Sequence, residues 1–353
     1  MTREDWLSEA YVPSLVSVII PTFDRRHFLH AALESVFAQD YRPIEAIVID
    51  DGSSDGTHEL IKSCQKKHQS EEKFAIRYAY QKNKGAAVAR NNGLRLSRGE
   101  YVQFLDSDDL LLPDKLSTAI NIFNAHPEVE IVYANRGDFS RDVCDFRPWV
   151  REHADLEHDP SPAAVALANV WTPLPLFTRK ALSKVGPWDE RLSSLQDWEY
   201  IARVVSQVRE VRNTGKIQAL CRTHEGSRLS VSPWGEAEGV EANAMASAAL
   251  YPLVAACYSP HREEALIALA RRILSCLRVS IAAGNYRLAL EIAETHHAPI
   301  NAHRETRWRA WFWLTSLYLP HILLDMVFSP VRALKKRQAA QQVKRQPLRE
   351  AKG

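Results

Sequence analysis

The sequence of 353 residues lacks paired cysteines. Its five cysteines are scattered along the chain, and no two of them form a CxxC pair. This pattern indicates neither a zinc site nor a disulfide framework, and it favours a reducing compartment. Residues 1–14 are polar and lack the apolar core of a signal peptide. We therefore predict a cytoplasmic or cytosol-facing protein.

A strong charge imbalance is also missing. Lys and Arg number 45 against 43 Asp and Glu, a formal net charge of +2, so the composition gives no case for nucleic-acid binding. No GxGxxG loop follows a strand-like segment, which disfavours a nicotinamide-dependent enzyme, and no GxxxxGK[ST] phosphate loop is present. The hydrophobic fraction of 46% and the charged fraction of 25% are those of an ordinary soluble globular protein.

The sequence does contain a regular alternation of strand-like and helix-like segments. We predict strands at 15–20, 44–49, 74–80, 101–105 and 130–134, and helices at 26–38, 57–66, 86–96, 115–123, 237–257, 261–283 and 286–295, with a further helix from about residue 196. This alternation indicates an α/β fold with a mainly parallel, doubly wound sheet flanked by helices. We predict an α/β domain over 1–230, a long loop over 138–163 and an α-helical C-terminal region over 231–353.

Carboxylates directly follow two of the predicted strands. Asp50 and Asp51 follow the second strand, and Asp106 and Asp108 follow the fourth. Because the carboxyl ends of parallel strands meet at one edge of a sheet, both clusters are expected to face one cleft. Two carboxylates separated by a single small residue can bind one hard cation that also holds phosphate oxygens. The alternative is an Asx-rich turn that leads into a helix cap.

Four segments resemble, in their order along the chain, the motifs of the family 2 glycosyltransferases. These segments are 16–23, 48–57, 83–93 and 104–109. The resemblance covers about residues 15–230 and implies a GT-A fold and a nucleotide-sugar donor, with a UDP-sugar favoured. It also implies inversion at the anomeric carbon without a covalent intermediate. The nucleotide-binding half would be about 15–134 and the acceptor half about 135–230.

The resemblance implies a set of donor-site residues. Those expected to bind the nucleotide sugar are Pro21, Phe23, Ile49, Asp51, Arg90, Asp106, Ser107 and Asp108. Asp51 resembles the carboxylate that hydrogen-bonds the base or ribose, with simple turn formation as the alternative. Arg90 either contacts the nucleotide or makes a structural salt bridge. Asp108, with His224 as a second candidate ligand, is expected to hold Mn²⁺ or Mg²⁺, which neutralises charge on the leaving diphosphate.

Residues 186–191 and 195–200 resemble the acceptor-side motif of the family. The usual Glu-Asp pair is replaced here by Gln196-Asp197. We expect Asp197 to be the general base that takes the proton of the acceptor hydroxyl, with helix capping as the alternative. Trp188 is expected to stack on a sugar, and Asp189 and Glu190 are the fallback bases. The acceptor would be a glycan, a polysaccharide or a lipid-linked sugar.

An apolar segment, 308–328, precedes a basic tail. The segment is barely long enough to span a bilayer, and it contains Pro320, His321 and Asp325. We expect residues 308–349 to lie on a membrane surface, which would make the protein peripheral on the cytoplasmic face. The alternative is a helical hairpin packed on the protein's own core or on a second subunit.

Two other functions remain open from the sequence. One is a non-catalytic scaffold that binds a nucleotide sugar at a membrane. The other is a phosphoryl transferase of the haloacid dehalogenase type, in which the first Asp of a DxD motif is the nucleophile. Leu110 stands where that second class usually has Thr or Val, which disfavours it.

Overall fold

The computed structural model describes residues 6–8, 11–140, 147–148, 161–167, 170–223, 237–303 and 306. The strands in these ranges are β1 (Val12–Thr22), β2 (Ile44–Asp50), β3 (Phe74–Tyr80), β4 (Gly99–Phe104), β5 (Leu110–Leu111), β6 (Ile131–Phe139), β7 (Arg147–Pro148), β8 (Pro175–Thr178) and β9 (Val211–Arg222). The helices are α1 (Arg26–Phe37), α2 (Thr57–Lys67), α3 (Ala86–Leu96), α4 (Lys115–Ala125), α5 (Pro162–Leu167), α6 (Arg179–Ser183), α7 (Gln196–Val205), α8 (Ala237–Ala256), α9 (Arg262–Ala282), α10 (Tyr286–Thr295) and α11 (His297–Ala302).

The described strands form one sheet in the order β3-β2-β1-β4-β8-β6-β9-β5, with β7 paired to β6. The first four strands in this order run parallel to one another. β8 is antiparallel to both of its neighbours, β4 and β6, while β6 and β9 are parallel. The α/β prediction is confirmed: four parallel strands hold the motifs, and the far half of the sheet is mixed.

The sheet separates two apolar cores. Val18 and Ile20 of β1 pack in a core with residues of α1, α2 and α4, whereas Ile19 packs in the core that holds residues of α3 and α7. Successive side chains of a strand point to opposite faces, so a strand covered on both faces is apolar throughout. The uninterrupted apolar run at the end of β1 therefore follows from its central place in a three-layer arrangement.

Two glycines determine how α3 sits on the sheet. A Cβ atom at Gly93 would overlap the side chain of Ile19, so glycine is required where α3 lies directly on β1. Gly85 precedes the first residue of α3 with φ of +92°, a backbone conformation that favours glycine. Together they place the N-terminus of α3 beside the carboxyl ends of the parallel strands.

The chain divides into two compact units, Met1–Ser232 with Met245–Leu269 and Pro233–Ala244 with Ala270–Gly353. The sheet belongs to the first. In the second, Arg272 Nε donates to Asn243 Oδ1 at 3.1 Å, and the Asn285 side chain caps α10 by accepting from the backbone N–H of Leu288 at 3.2 Å. The predicted helices at 237–257, 261–283 and 286–295 are present to within a residue at each end. The predicted boundary at residue 230 stays a prediction.

Within the described ranges, no helix combines the length and the apolar character that crossing a bilayer requires. The apolar segment 308–328 and the basic tail lie outside the described residues, as does most of the predicted loop 138–163. Their predicted roles therefore stay predictions.

Candidate active site

A cavity of about 610 Å³ opens where β1, β2 and β4 end. This is the edge at which open α/β sheets bind ligands. The predicted site residues that line it are Pro21, Phe23, Asp51, Arg90, Asp106, Ser107, Asp108 and Asp197. The two acidic clusters that follow predicted strands therefore meet in one cavity, and the start of α7 brings Asp197 to the same place.

Asp51 holds the loop that leads into α3. One carboxylate oxygen accepts hydrogen bonds from the Lys84 backbone N–H at 2.8 Å and from Gln81 Nε2 at 2.7 Å. The other accepts from the Gly85 backbone N–H at 2.8 Å. Since Asp51 is only 5% exposed, these bonds fix the N-terminus of α3 against the end of β2. Its role towards a base or ribose stays a prediction.

Arg90 joins the end of β4 to the start of α7. Its Nη2 atom donates to Asp106 Oδ1 at 2.7 Å, and its Nη1 atom donates to Gln196 Oε1 at 2.9 Å. Its guanidinium carbon also lies 4.6 Å from the centre of the Trp188 ring. The structural salt bridge considered for Arg90 is therefore present, and nucleotide contact stays a prediction.

Asp108 forms an ion pair with an arginine that the sequence analysis did not identify as a site residue. Arg25 Nη1 donates to Asp108 Oδ2 at 2.5 Å. Arg222 donates from Nε to the Asp108 carbonyl oxygen at 3.2 Å and from its backbone N–H to Asp109 Oδ1 at 3.0 Å. Burial, followed by the charges of Asp108 and Asp106, raises the pKa of Asp109 well above its ordinary value. The only sequence signal for Arg25 is its place just after β1.

Asp197 is the second residue of α7, and its side chain is half-buried at the cavity. One of its oxygens accepts from the Trp198 backbone N–H at 2.9 Å, while the N-cap position of the helix belongs to Leu195. Burial raises the pKa of Asp197 from 3.8 to about 6, with Arg90 acting against this shift and Asp106 adding to it. A carboxyl group that titrates near neutral pH is suited to general-base catalysis.

Two of the predicted contact residues are buried away from the cavity. Trp188 is 2% exposed, stacks on Tyr200 with ring centres 4.2 Å apart, and meets the Phe104 ring edge-on. Ile49 is 1% exposed in the core beside α3. The expectation that Trp188 stacks on a sugar does not fit this arrangement, because the ring has almost no accessible surface. Ile49 likewise packs in the core and does not line the cavity.

The two fallback bases do not line the cavity. Arg191 binds Asp189 through two side-chain bonds, at 2.9 and 2.7 Å, and these hydrogen bonds lower the pKa of Asp189. Glu190 accepts a hydrogen bond from Asn91 Nδ2 at 2.8 Å. Both acids thus have side-chain partners, Arg191 within the motif and Asn91 of α3, and Asp197 is the predicted base that lies at the cavity.

Three cavity-lining residues that sequence reasoning missed have buried polar atoms without a hydrogen-bond partner among the described residues. These atoms are Thr22 Oγ1, Trp171 Nε1 and Ser194 Oγ. Buried polar groups in proteins are nearly always paired, with protein, water or ligand. Nothing in the residue pattern distinguishes these three from structural residues, because their significance depends on elements brought together by the fold.

The acidic side chains at the cavity supply the kind of ligand that Mn²⁺ and Mg²⁺ bind. Asp106 and Asp108 line the cavity and offer carboxylate oxygens, which both ions prefer. The residues therefore fit a hard cation. Within the described chain, however, no three His, Cys, Asp or Glu side chains form a ready metal group. His224 lies outside the described residues.

Comparison with known proteins identifies a family match over part of the chain. The family model described as "Glycosyl transferase family 2" matches residues 17–171. The chain is 37% identical over 132 residues to the GalNAc(5)-diNAcBac-PP-undecaprenol beta-1,3-glucosyltransferase of Campylobacter jejuni, covering 36% of this chain and 41% of that protein. It is 30% identical over 183 residues to an uncharacterized glycosyltransferase of Nostoc, covering 49% and 54%. These alignments span about half or less of each relative.

Solved structures share the fold at low sequence identity. S. aureus TarS 1-349 in complex with UDP-GlcNAc superposes with a TM-score of 0.51 and 17% identity, covering 80% of this chain and 91% of that one. The mannosyltransferase PcManGT from Pyrobaculum calidifontis, in complex with GDP-Man and Mn²⁺, gives 0.52 and 18%, covering 87% and 86%. The GT-A fold expected from the sequence is therefore confirmed. Residues 17–171 therefore match glycosyl transferase family 2, and the relatives aligned with this part of the chain are named as glycosyltransferases.

Proposed function

We propose that this protein transfers a sugar from a nucleotide-sugar donor, with a UDP-sugar favoured, to a hydroxyl group of its acceptor, with inversion at the anomeric carbon. One observation carries this proposal: the carboxylates of Asp106, Asp108 and Asp197 reach the same cavity from the end of β4 and the start of α7. Structures with the same fold bind UDP-GlcNAc or GDP-Man, which supports a nucleotide-sugar donor and leaves the base open.

The donor side is built from the ends of β1 and β2 and the start of α3. Phe23 is 46% exposed beside Pro21, so its ring is available to a nucleobase or ribose. Asp51 fixes the N-terminus of α3, and helix N-termini attract phosphate through their backbone N–H groups and partial positive charge. Asp108 would hold a divalent Mn²⁺ or Mg²⁺ ion, which supplies positive charge beside the leaving diphosphate.

The acceptor side centres on Asp197. Its carboxylate would take the proton of the acceptor hydroxyl while that oxygen attacks the anomeric carbon from the face opposite the diphosphate. The bond from the anomeric carbon to the diphosphate oxygen breaks in the same displacement, and the diphosphate leaves with the bonding electrons. A pKa of about 6 keeps most of the carboxyl ionised at neutral pH, and therefore able to accept the proton.

The proposed acceptor class rests on the name of one relative and on the composition of residues 308–349. The Campylobacter jejuni relative carries a PP-undecaprenol acceptor in its name, which favours a lipid-linked acceptor over a free glycan or polysaccharide. The basic and apolar residues of 308–349 are suited to a membrane surface, where such an acceptor resides. We therefore propose a peripheral position on the cytoplasmic face of a membrane.

Thermal-shift binding tests the donor half of the proposal. UDP, GDP, CMP and dTDP are each added with Mn²⁺, Mg²⁺ or EDTA, since a ligand that binds only the folded state raises the melting temperature. We expect a shift with one nucleotide that requires metal and disappears in Asp108→Ala. A folded protein that shifts with no nucleotide contradicts the donor proposal.

Turnover then separates an enzyme from a scaffold. The wild type is incubated with the nucleotide sugar selected by thermal shift, and release of the nucleoside diphosphate is measured with lipid-linked and soluble acceptors. We expect Asp197→Asn to bind the nucleotide and to lose turnover. Nucleotide binding by a wild type that turns over no donor with either class of acceptor would favour the scaffold.

A further inference from the structure

Each of the two DXD carboxylates is paired with an arginine, and the two arginines are held differently. Arg90, on Asp106, is 7% exposed and is fixed by Gln196. Arg25, on Asp108, is 23% exposed, lines the cavity and lies in the short connection between β1 and α1. Arg90 is thus almost fully buried, whereas the Arg25 side chain is partly accessible from the cavity.

The Arg25 guanidinium and a divalent cation compete for the same ligand. Asp108 Oδ2 accepts from Arg25 Nη1 at 2.5 Å, and this carboxylate is the one expected to hold the metal. A metal that binds Asp108 has to share or displace the guanidinium, and part of its binding free energy is spent on breaking the ion pair. The apparent metal affinity falls accordingly, because the pair lowers the fraction of protein that is ready to bind.

A displaced guanidinium stays close to the ligand that replaces it. Arg25 lines the same cavity as Asp106 and Asp108, where the diphosphate of a nucleotide sugar is expected to lie. A guanidinium offers a planar fork of donors that matches phosphate oxygens. Arg25 therefore weakens the binding of a metal ion that arrives alone. When the metal ion arrives with a diphosphate, Arg25 can strengthen binding by pairing with the phosphate oxygens.

We propose that Arg25 is a displaceable counter-cation of Asp108, which yields the carboxylate to a divalent metal and then pairs with the nucleoside diphosphate. This inference rests on the proposed metal site at Asp108. It makes metal and nucleotide bind together in preference to metal alone, because Arg25 gains a new partner only when both are present.

The proposal requires two effects of opposite sign in Arg25→Gln, which removes the charge and keeps a polar side chain. Mn²⁺ alone should bind about 2- to 5-fold more tightly, which corresponds to the loss of one partly exposed ion pair. The nucleoside diphosphate, added with saturating Mn²⁺, should bind about 10-fold more weakly, since a charged hydrogen bond to phosphate is lost. A residue with a merely structural role would weaken both or change neither.

The test uses the full chain and two titrations. Free Mn²⁺ is followed by electron paramagnetic resonance without nucleotide, and UDP or GDP binding is followed by calorimetry at saturating Mn²⁺. Arg26→Gln is the matched control, because Arg26 is the next residue, carries the same charge, is exposed and does not line the cavity. We expect Arg26→Gln to match the wild type in both titrations.

Unchanged or weaker Mn²⁺ binding in Arg25→Gln overturns the proposal, as does the absence of Mn²⁺ binding in both proteins. If Arg25→Gln does not fold, Arg25→Met keeps a long side chain and removes the charge. That variant should also bind Mn²⁺ more tightly, and an unchanged affinity overturns the proposal equally. Neither result decides the transferase proposal, which depends on nucleotide binding and turnover in the wild type.

Discussion

Replacing Asp197 by asparagine is expected to abolish turnover and, at the same time, to stabilise the fold near neutral pH. The carboxyl group has a pKa of about 6 in the folded protein against an ordinary value of 3.8, a difference of about 2 units. At about 1.4 kcal/mol per unit, ionised Asp197 lowers the free energy of unfolding by about 3 kcal/mol. This is an upper limit, because the half-buried side chain is partly screened by solvent.

The pH dependence of this effect has a definite sign. Well below pH 3.8 the carboxyl is protonated in both the folded and the unfolded chain, so the wild type and Asp197→Asn should be equally stable. Between about pH 4 and 6 the unfolded chain loses this proton first, and the advantage of the variant should grow to its full value. Urea unfolding at pH 4, 5, 6 and 7.5 measures the difference.

Kinetic measurements test the predicted loss of turnover in Asp197→Asn. Loss of the base should lower kcat by about 10²- to 10⁴-fold, and the wild-type kcat/KM should fall below about pH 6 as Asp197 becomes protonated. Asp189→Asn is the matched control: the pKa of Asp189 is lowered by Arg191, so its loss should cost stability, by about 1 kcal/mol or less. An Asp197→Asn variant that is less stable than the wild type at pH 7.5 would refute the reasoning.

Three further predictions concern the fold. Lys115 is 1% exposed, its Nζ donates to the Leu174 carbonyl oxygen at 2.8 Å, and burial lowers its pKa to about 7. The wild type should therefore gain stability between about pH 7 and 10, where only the unfolded chain keeps this proton, and Lys115→Met should lose that slope in urea titrations. Gly93→Ala should lower the free energy of unfolding by about 1–3 kcal/mol, because the new methyl group overlaps Ile19. Gly85→Ala should lower it by about 1–3 kcal/mol through backbone strain at positive φ, measured by thermal unfolding; an unchanged melting temperature would contradict this.

The elements predicted most accurately from the sequence are those with local boundary signals. β3, α3 and α10 have the predicted bounds. The turn that ends in Gly85 marks the start of α3, and the Asn285 side chain caps α10. Such signals act within a few residues, so a single sequence contains them. The predicted acidic edge is also correct, because it follows from the direction of parallel strands.

The elements that were missed depend on distant partners. β9 was not predicted because Gly215 interrupts it, and its pairing with β6 shifts register. β8 is absent from the predicted strands because Pro175 begins it, yet it pairs with strands on both sides. Trp188 was expected at the surface of the site, but its burial is set by Tyr200 and Phe104, which the motif does not reveal.

The position of β8 has a consequence for dissecting this protein. The family match ends at residue 171, whereas β8 (Pro175–Thr178) lies between β4 and β6, and β9 (Val211–Arg222) pairs along β6. A polypeptide cut at the end of the match would leave β4 and β6 with unpaired edges, which promote association between chains. The smallest fragment that folds on its own should therefore extend at least to Arg222, and a chimaera that exchanges the C-terminal helical region should be joined beyond that strand.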